Sequence, residues 1–171
     1  MSRPFAIVTG ASSGIGFELA HELASRGYDL AICSAGERLQ RATERLKARG
    51  SEVLAVQADL ATREGVKQFW DAAVSLGREI DIACINAGVG VGGLFTETEL
   101  DAELNMVNLN CSGTVQLAKY VVQHMKTRNR GGCSPTRKRF IECGMTWRTR
   151  RRGKSKLSAS RGLARPLRIG R

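Results

Sequence analysis

The residues best suited to chemistry lie near the amino terminus, in the run FAIVTGASSGIG from Phe5 to Gly16. An apolar stretch, Ala6 to Val8, gives way to Gly10, Ser12, Ser13, Gly14, Ile15 and Gly16. A strand that ends in such small residues turns tightly. The helix opening at Gly14, marked by Ile15, Leu19 and Leu23 four apart, then has a first turn almost bare of side chains. Bare backbone N–H groups beside the positive end of a helix dipole suit a phosphate. The dipole alone contributes only about 0.3–1 kcal/mol, so several N–H contacts must act together.

Three further polar positions stand where strands end or a helix turns inward. Asp59-Leu60 follows an apolar run at Val53 to Val56, and Asn86-Ala87-Gly88 follows Ile80 to Ile85. A carboxylate that ends a parallel strand points into the ligand crevice of an open sheet. Asn110 lies within a long helical stretch, about Glu99 to Met125. Metal chemistry is not indicated. The five cysteines include no C-x-x-C pair, and His21 and His124 are lone histidines on helical segments. Cys33 and Cys84, inside apolar runs, read as small core residues.

Strands and helices alternate through the first half. A helix from Gly14 to Arg26 stops at Gly27, and Asp29 to Cys33 is the second strand. Leu39, Ala42 and Leu46 share one face of a helix from about Glu37 to Ala48, which Gly50 ends. Thr62 caps a helix burying Val66, Phe69, Trp70, Ala73 and Val74. Such alternation with short connections predicts an α/β fold, a Rossmann-type doubly wound parallel sheet with helices on both faces. Gly88 to Gly93 spells G-x-G-x-x-G, but the next helix-start signal is the pair Thr96-x-x-Glu99, so this stretch reads as a loop over a cleft.

The spacing Thr9-Gly10-x-x-x-Gly14-x-Gly16 is not the commoner G-x-G-x-x-G. TGASSGIG after an amino-terminal strand resembles the cofactor signature of the short-chain dehydrogenase/reductase family, and the resemblance runs over residues 4–130. It implies an incomplete sheet of order 3-2-1-4. It also implies that the glycine turn holds NAD or NADP, that Asp59, in the pair Asp59-Leu60, hydrogen-bonds the adenine ring, and that Asn86-Ala87-Gly88 borders the cofactor. Asn110-Cys111-Ser112-Gly113 is similar to the family's N-x-x-G. Asn110 would then be the first member of a catalytic tetrad, holding a water in a proton relay. The other members have no place here. Four residues beyond Tyr28 and Tyr120, the two tyrosines, stand Ile32 and His124, so no Tyr-x-x-x-Lys exists. The expectation is an NAD(P)-dependent oxidoreductase of carbonyl and alcohol substrates by resemblance, reduced to a cofactor-binding chain with little or no turnover. No carboxylate precedes Glu37 after the second strand, and Arg38 is near, which leans the choice of cofactor towards NADP.

The charge divides the chain in two. Residues 1–126 carry 12 Lys/Arg against 15 Asp/Glu, whereas 127–171 carry 15 Lys/Arg against the single acid Glu142. The net +11 is therefore a property of the tail. The domain reading is a dinucleotide-binding part at 1–130 and a basic extension at 131–171, expected to be disordered because it lacks any apolar period. That would leave the fourth strand as an uncovered edge. Strand pattern, Ser, Tyr-x-x-x-Lys and acid–base balance vanish together near Gly131–Cys133, as a shifted reading frame in GC-rich DNA would make them. The competing function is a binding module: Arg137-Lys138-Arg139 and the arginines from Arg148 to Arg152 would engage nucleic acid or another anionic surface without reading bases. Gly153-Lys154-Ser155 has Arg148 where a P-loop needs glycine. No run approaches the roughly 18 apolar residues of a membrane span, and a cytoplasmic location is expected.

Overall fold

The computed structural model describes residues 3–126, together with the strand pairing of 132–135 and 147–148. Its elements run β1 (Phe5–Thr9), α1 (Gly14–Ser25), β2 (Asp29–Ser34), α2 (Leu39–Lys47), β3 (Val53–Gln57), α3 (Arg63–Val74) and β4 (Ile80–Ile85). Then come α4 (Leu100–Val107), a π-helical turn (Asn108–Gly113), α5 (Thr114–Lys126), β5 (Gly132–Pro135) and β6 (Trp147–Arg148). The strand order is β3-β2-β1-β4-β5-β6, parallel except for β6. The expected order 3-2-1-4 is thus the body of the sheet.

β1 is buried along its whole length because both of its faces are covered, which is why it reads as a continuous apolar run rather than an alternating one. Its side chains still alternate. Phe5 and Ile7 join Ala31, Cys33, Ala83 and Ile85 beneath Val66 and Phe69 of α3 and Leu117 and Val121 of α5. Ala6 and Val8 join Leu30, Ile32 and Cys84 beneath Phe17 of α1 and Leu46 of α2. Cys33 and Cys84 are the small core residues they were read to be. Burial pushes the Cys33 thiol up to about 12 and raises that of Cys84, so both stay protonated and inert at neutral pH.

Two expectations are corrected. β4 is not an edge: Ile82 to Ile85 pair in parallel with Gly132 to Pro135, and β6 lies beyond. A short strand needs only backbone groups, which the basic composition still supplies. The boundary at 130/131 and the expected disorder fall, these two strands apart, outside the described residues. The helix begins next to Glu99, as expected, but Thr96-x-x-Glu99 does not form a capping box. Glu99 is the residue before α4 and makes no side-chain cap bond, while the Thr98 hydroxyl bonds the Glu103 carboxylate. Leu100, Leu104, Val107 and Val115, whose spacing is that of a helical face, are exposed. Only from Leu117 onward does the helix reach the sheet, burying Leu117, Val121 and Met125.

The amino ends of the strands are tied by one buried carboxylate. Asp29 accepts from Glu52 N (2.9 Å) and from Arg78 Nη1 (2.8 Å), with Arg3 Nη1 at 3.6 Å. Burial alone would raise its pKa, but these partners outweigh it and hold the carboxyl below its ordinary value. A lowered folded-state pKa gives stability that is present above the unfolded value and is lost as pH falls through the folded one. Asp29→Asn should therefore cost about 2 kcal/mol at neutral pH, and the deficit should shrink on acidification below about pH 4. Urea melts of both proteins at pH 7 and pH 3 measure this, and a deficit that does not change with pH would refute it.

Candidate functional site

The connections from β1 run through α1 and α2 to β2 and β3 on one side, and the chain then crosses to β4 on the other. The strand order therefore reverses between β1 and β4, and a crevice opens at their carboxyl ends, where open α/β sheets bind ligands. A cavity of about 970 Å³ occupies that position. Its walls come from every neighbouring loop: Gly10, Ser12, Ser13 and Ile15 after β1, Ser34 to Gly36 and Arg38 after β2, and Ala58 to Leu60 after β3. Asn86 to Val91 after β4, with Met106, Leu109 and Asn110, complete it.

The glycine turn is required by space as much as by conformation. Gly10 has φ +67°, and a Cβ there would stand 2.8 Å from Ala87 Cα. A Cβ on Gly16 would stand 2.2 Å from Gly10 O and 2.5 Å from Asn86 Nδ2, so α1 packs directly on the turn and on the residue after β4. Gly14 differs. It has φ +57° and nothing within 4 Å of a built Cβ, so a side chain there would meet open space, and it is not among the residues that line the cavity. Ser13 precedes α1 with extended backbone, and its hydroxyl makes no cap bond. The first-turn N–H groups are thus left without a side-chain partner, which is the arrangement an anion completes.

Thr9, buried at the end of β1, was read only as part of the motif, but it organises the opposite wall. Its hydroxyl accepts from Asn86 N (2.9 Å) and Ala87 N (3.0 Å), fixing Asn86-Ala87-Gly88 against β1. The sequence signal was the threonine itself, a polar residue closing an otherwise apolar buried strand. Asp59 Oδ1 accepts from Ala61 N (2.9 Å), an Asx turn that hands the chain to Thr62, whose hydroxyl accepts from Gly65 N and caps α3. Leu60 is buried beside it, and a Cβ on Gly113 would stand 2.0 Å from Leu60 O. The glycine of the N-x-x-G motif therefore lets the π-helical turn approach the loop after β3.

That turn also delivers Asn110. Its Nδ2 donates to Val89 O (2.8 Å) and its Oδ1 accepts from Val89 N (3.2 Å). Both ends of the amide hold the 88–93 loop over the cavity. No helix begins at Gly93, and α4 starts seven residues later. On the far side the Ser34 hydroxyl donates to Ser12 Oγ (3.0 Å), and Gln57 Nε2 donates to Ala35 O (3.0 Å). Ser34 and Gln57 are contributors that sequence reasoning missed. The candidate positions therefore line one cavity, apart from Gly14, which begins α1 beside it, and Gly16, which acts, like Gly113, through close packing. Among the described residues no group of His, Cys, Asp and Glu is arranged to hold a metal, and no helix is long and apolar enough to cross a membrane. The cationic run proposed for nucleic acid lies outside the described residues, apart from the backbone pairing of Arg148.

A family model for short chain dehydrogenase matches residues 4–133. Mouse dehydrogenase/reductase SDR family member 7 is 36% identical over 129 residues, covering 72% of this chain and 38% of that protein. The 3-oxoacyl-[acyl-carrier-protein] reductase FabG of Staphylococcus epidermidis is 33% identical over 129 residues, covering 74% of this chain and 52% of the other. The chain thus spans about half, or less, of the length of these relatives. Among solved structures, L-sorbose reductase from Gluconobacter frateurii, complexed with NADPH and L-sorbose, superposes with a TM-score of 0.71 at 32% identity over 78% of this chain and 51% of that one. NAD+-bound xylitol dehydrogenase gives 0.70 at 27% identity, covering 76% and 51%. A crevice at the β1/β4 reversal, a glycine turn set by close packing and a match through residue 133 lead to one conclusion: the chain belongs to the short-chain dehydrogenase family.

Proposed function

We propose that this chain binds a nicotinamide dinucleotide weakly in the cavity at the carboxyl ends of β1 and β4, with NADP(H) preferred to NAD(H), and that it turns over little or no substrate. The observation that carries the reading is the open first turn of α1. Gly14 to Gly16 present N–H groups with no side-chain cap to a cavity whose floor a Cβ at Gly10 or Gly16 would disrupt. In this reading those N–H groups take the pyrophosphate, while Asp59, in the pair Asp59-Leu60, hydrogen-bonds the adenine ring. Asn86-Ala87-Gly88, held by Thr9, borders the rest of the cofactor. When bound, the nicotinamide supplies the hydride that complete relatives exchange with a carbonyl or alcohol carbon. Ser34, Ala35 and Gly36 put no carboxylate at the ribose edge, and Arg38 lines the same recess, which favours a 2′-phosphate. A cytoplasmic location belongs to this reading.

Asn110 is the one tetrad position present, and its amide is engaged with Val89. Any water it holds must share that amide, so its first role here is to keep the 88–93 loop in place. Isothermal titration with NADPH and NADH tests the proposal. Saturable heat, a few-fold tighter for NADPH, is expected. Gly14→Asp should weaken binding at least about tenfold, or 1.4 kcal/mol, by placing a negative charge at the first turn of α1, beside the N–H groups proposed for the pyrophosphate. Unchanged heat in that variant would remove the glycine turn from the explanation.

A further inference from the structure

The face of α4 and its leading loop is left without a partner by the described chain. α4 buries none of its residues, and Leu100 is 65% exposed, Leu104 51% and Val107 48%, with Phe95 at 82% just before them. The same surface is acidic. Glu97, Glu99 and Asp101 are exposed and Glu103 half-buried, and residues 79–118 contain six carboxylates and no Lys or Arg. Elsewhere acids are interleaved with cations: Glu22 pairs with Arg26, Asp71 with Lys67, and Glu52 with Arg78. Among the described residues no ion pair involves positions 97–103. Apolar and acidic groups together define what would cover this face, a segment carrying both apolar and basic side chains.

The chain contains such a segment. Residues 149–171 hold nine Lys/Arg and no acid, and Leu163, Leu167 and Ile169 are interleaved with Arg161, Arg165, Arg168 and Arg171. We infer that this carboxyl-terminal segment docks on the acidic, apolar face of α4, its arginines on Glu97, Glu99 and Asp101 and its aliphatic side chains on Leu100 and Leu104. Length permits it. From Arg148, the last described residue, the remaining chain extends up to about 75 Å. The whole helical stretch from Leu100 to Lys126 is only about 40 Å long. Tethering keeps the segment at an effective concentration of about millimolar, so a weak contact is enough. The inference is independent of cofactor binding and requires no selection on the tail sequence.

Limited trypsin digestion of the full chain, followed by mass spectrometry, tests it. Cleavage after Arg161 and Arg168 is compared with that of a synthetic 149–171 peptide in the same buffer, which corrects for salt effects on the protease. At about 30 mM salt the tethered segment should be cut at least about fivefold more slowly than the peptide, and protection should vanish near 0.5 M, where screening is nearly complete. Glu97→Gln/Glu99→Gln/Asp101→Asn should abolish it, and Leu100→Ser/Leu104→Ser should reduce it. These substitutions are on exposed positions outside the cavity. The salt and peptide comparisons on the unaltered chain stand even if a variant misfolds. Equal cleavage of chain and peptide at low salt would overturn the inference. So would protection that survives the triple change, or protection that grows with protein concentration, which would mean a second copy supplies the contact.

Discussion

Gly16→Ala should strongly destabilise the dinucleotide-binding half and disrupt cofactor binding with it. A methyl group at this position would lie 2.2 Å from Gly10 O and 2.5 Å from Asn86 Nδ2. The asparagine side chain can move, but the carbonyl belongs to the turn itself, which Ala87 already confines from the other side. Relief requires lifting α1 from the sheet, where Phe17, Ala20 and Leu23 are buried. A cost of about 3 kcal/mol or more is expected, at the upper end of overpacking effects. For a domain of this size that lowers the melting temperature by roughly 10 °C. Gly14→Ala provides the contrast. Nothing obstructs its methyl group, so only the positive φ is penalised, by about 1–2 kcal/mol. Thermal melts of the two variants should differ clearly. If both melt within a degree or two of each other, close packing is not what fixes this glycine.

The second large effect is on turnover. The sequence has no Tyr-x-x-x-Lys, the pair that the resemblance assigns to moving the substrate hydroxyl proton, and such assistance is worth about 10²–10⁴-fold in rate. NADPH oxidation with a panel of ketones and aldehydes should not exceed background. A clear rate that disappears in Asn110→Ala would show that the proton comes from elsewhere. The same reasoning makes a prediction about the gene. The family match stops at residue 133, and the switch from acid–base balance to 15 Lys/Arg against one acid begins at 127. Translating the coding DNA beyond codon 131 in its other two forward frames should yield an apolar strand, a serine and then Tyr-x-x-x-Lys. Joining that frame to residues 1–130 should create reductase activity from none. If neither frame contains the pattern, the basic extension needs its own explanation.

Much of this was readable in the chain because burial on two faces leaves a plain mark. FAIV, LAIC and IACI are uninterrupted apolar runs, and Gly27, Gly50 and Gly77 stop helices with φ of +83°, +80° and +62°. The glycine turn was legible for the same reason, since three glycines in seven positions have few uses other than close approach. What escaped notice depends on partners distant in sequence. Thr9 is an ordinary strand residue until Asn86 and Ala87 donate to its hydroxyl, and Gln57 is an ordinary polar residue until Ala35 O lies opposite it. Leu100, Leu104 and Val107 carry a helical period like that of any buried face. Periodicity reports that a face is apolar, not that anything covers it.

The pair of hydrogen bonds that Asn86 and Ala87 donate to Thr9 also bears on the order of events during synthesis. β1 and β2 are close in sequence and can pair early, but the other side of β1 waits for Ile80 to Ile85. At about 5–20 residues per second, those residues follow β1 out of the ribosome by roughly 4–15 s. Through that interval the open side of β1, Phe5 to Thr9, is an unpaired apolar strand edge, and the Thr9 hydroxyl has no donors from β4 to receive. Chaperone capture of nascent chains should therefore be strongest while the chain ends between α2 and β4, and should fall once the segment through Ala87 has emerged.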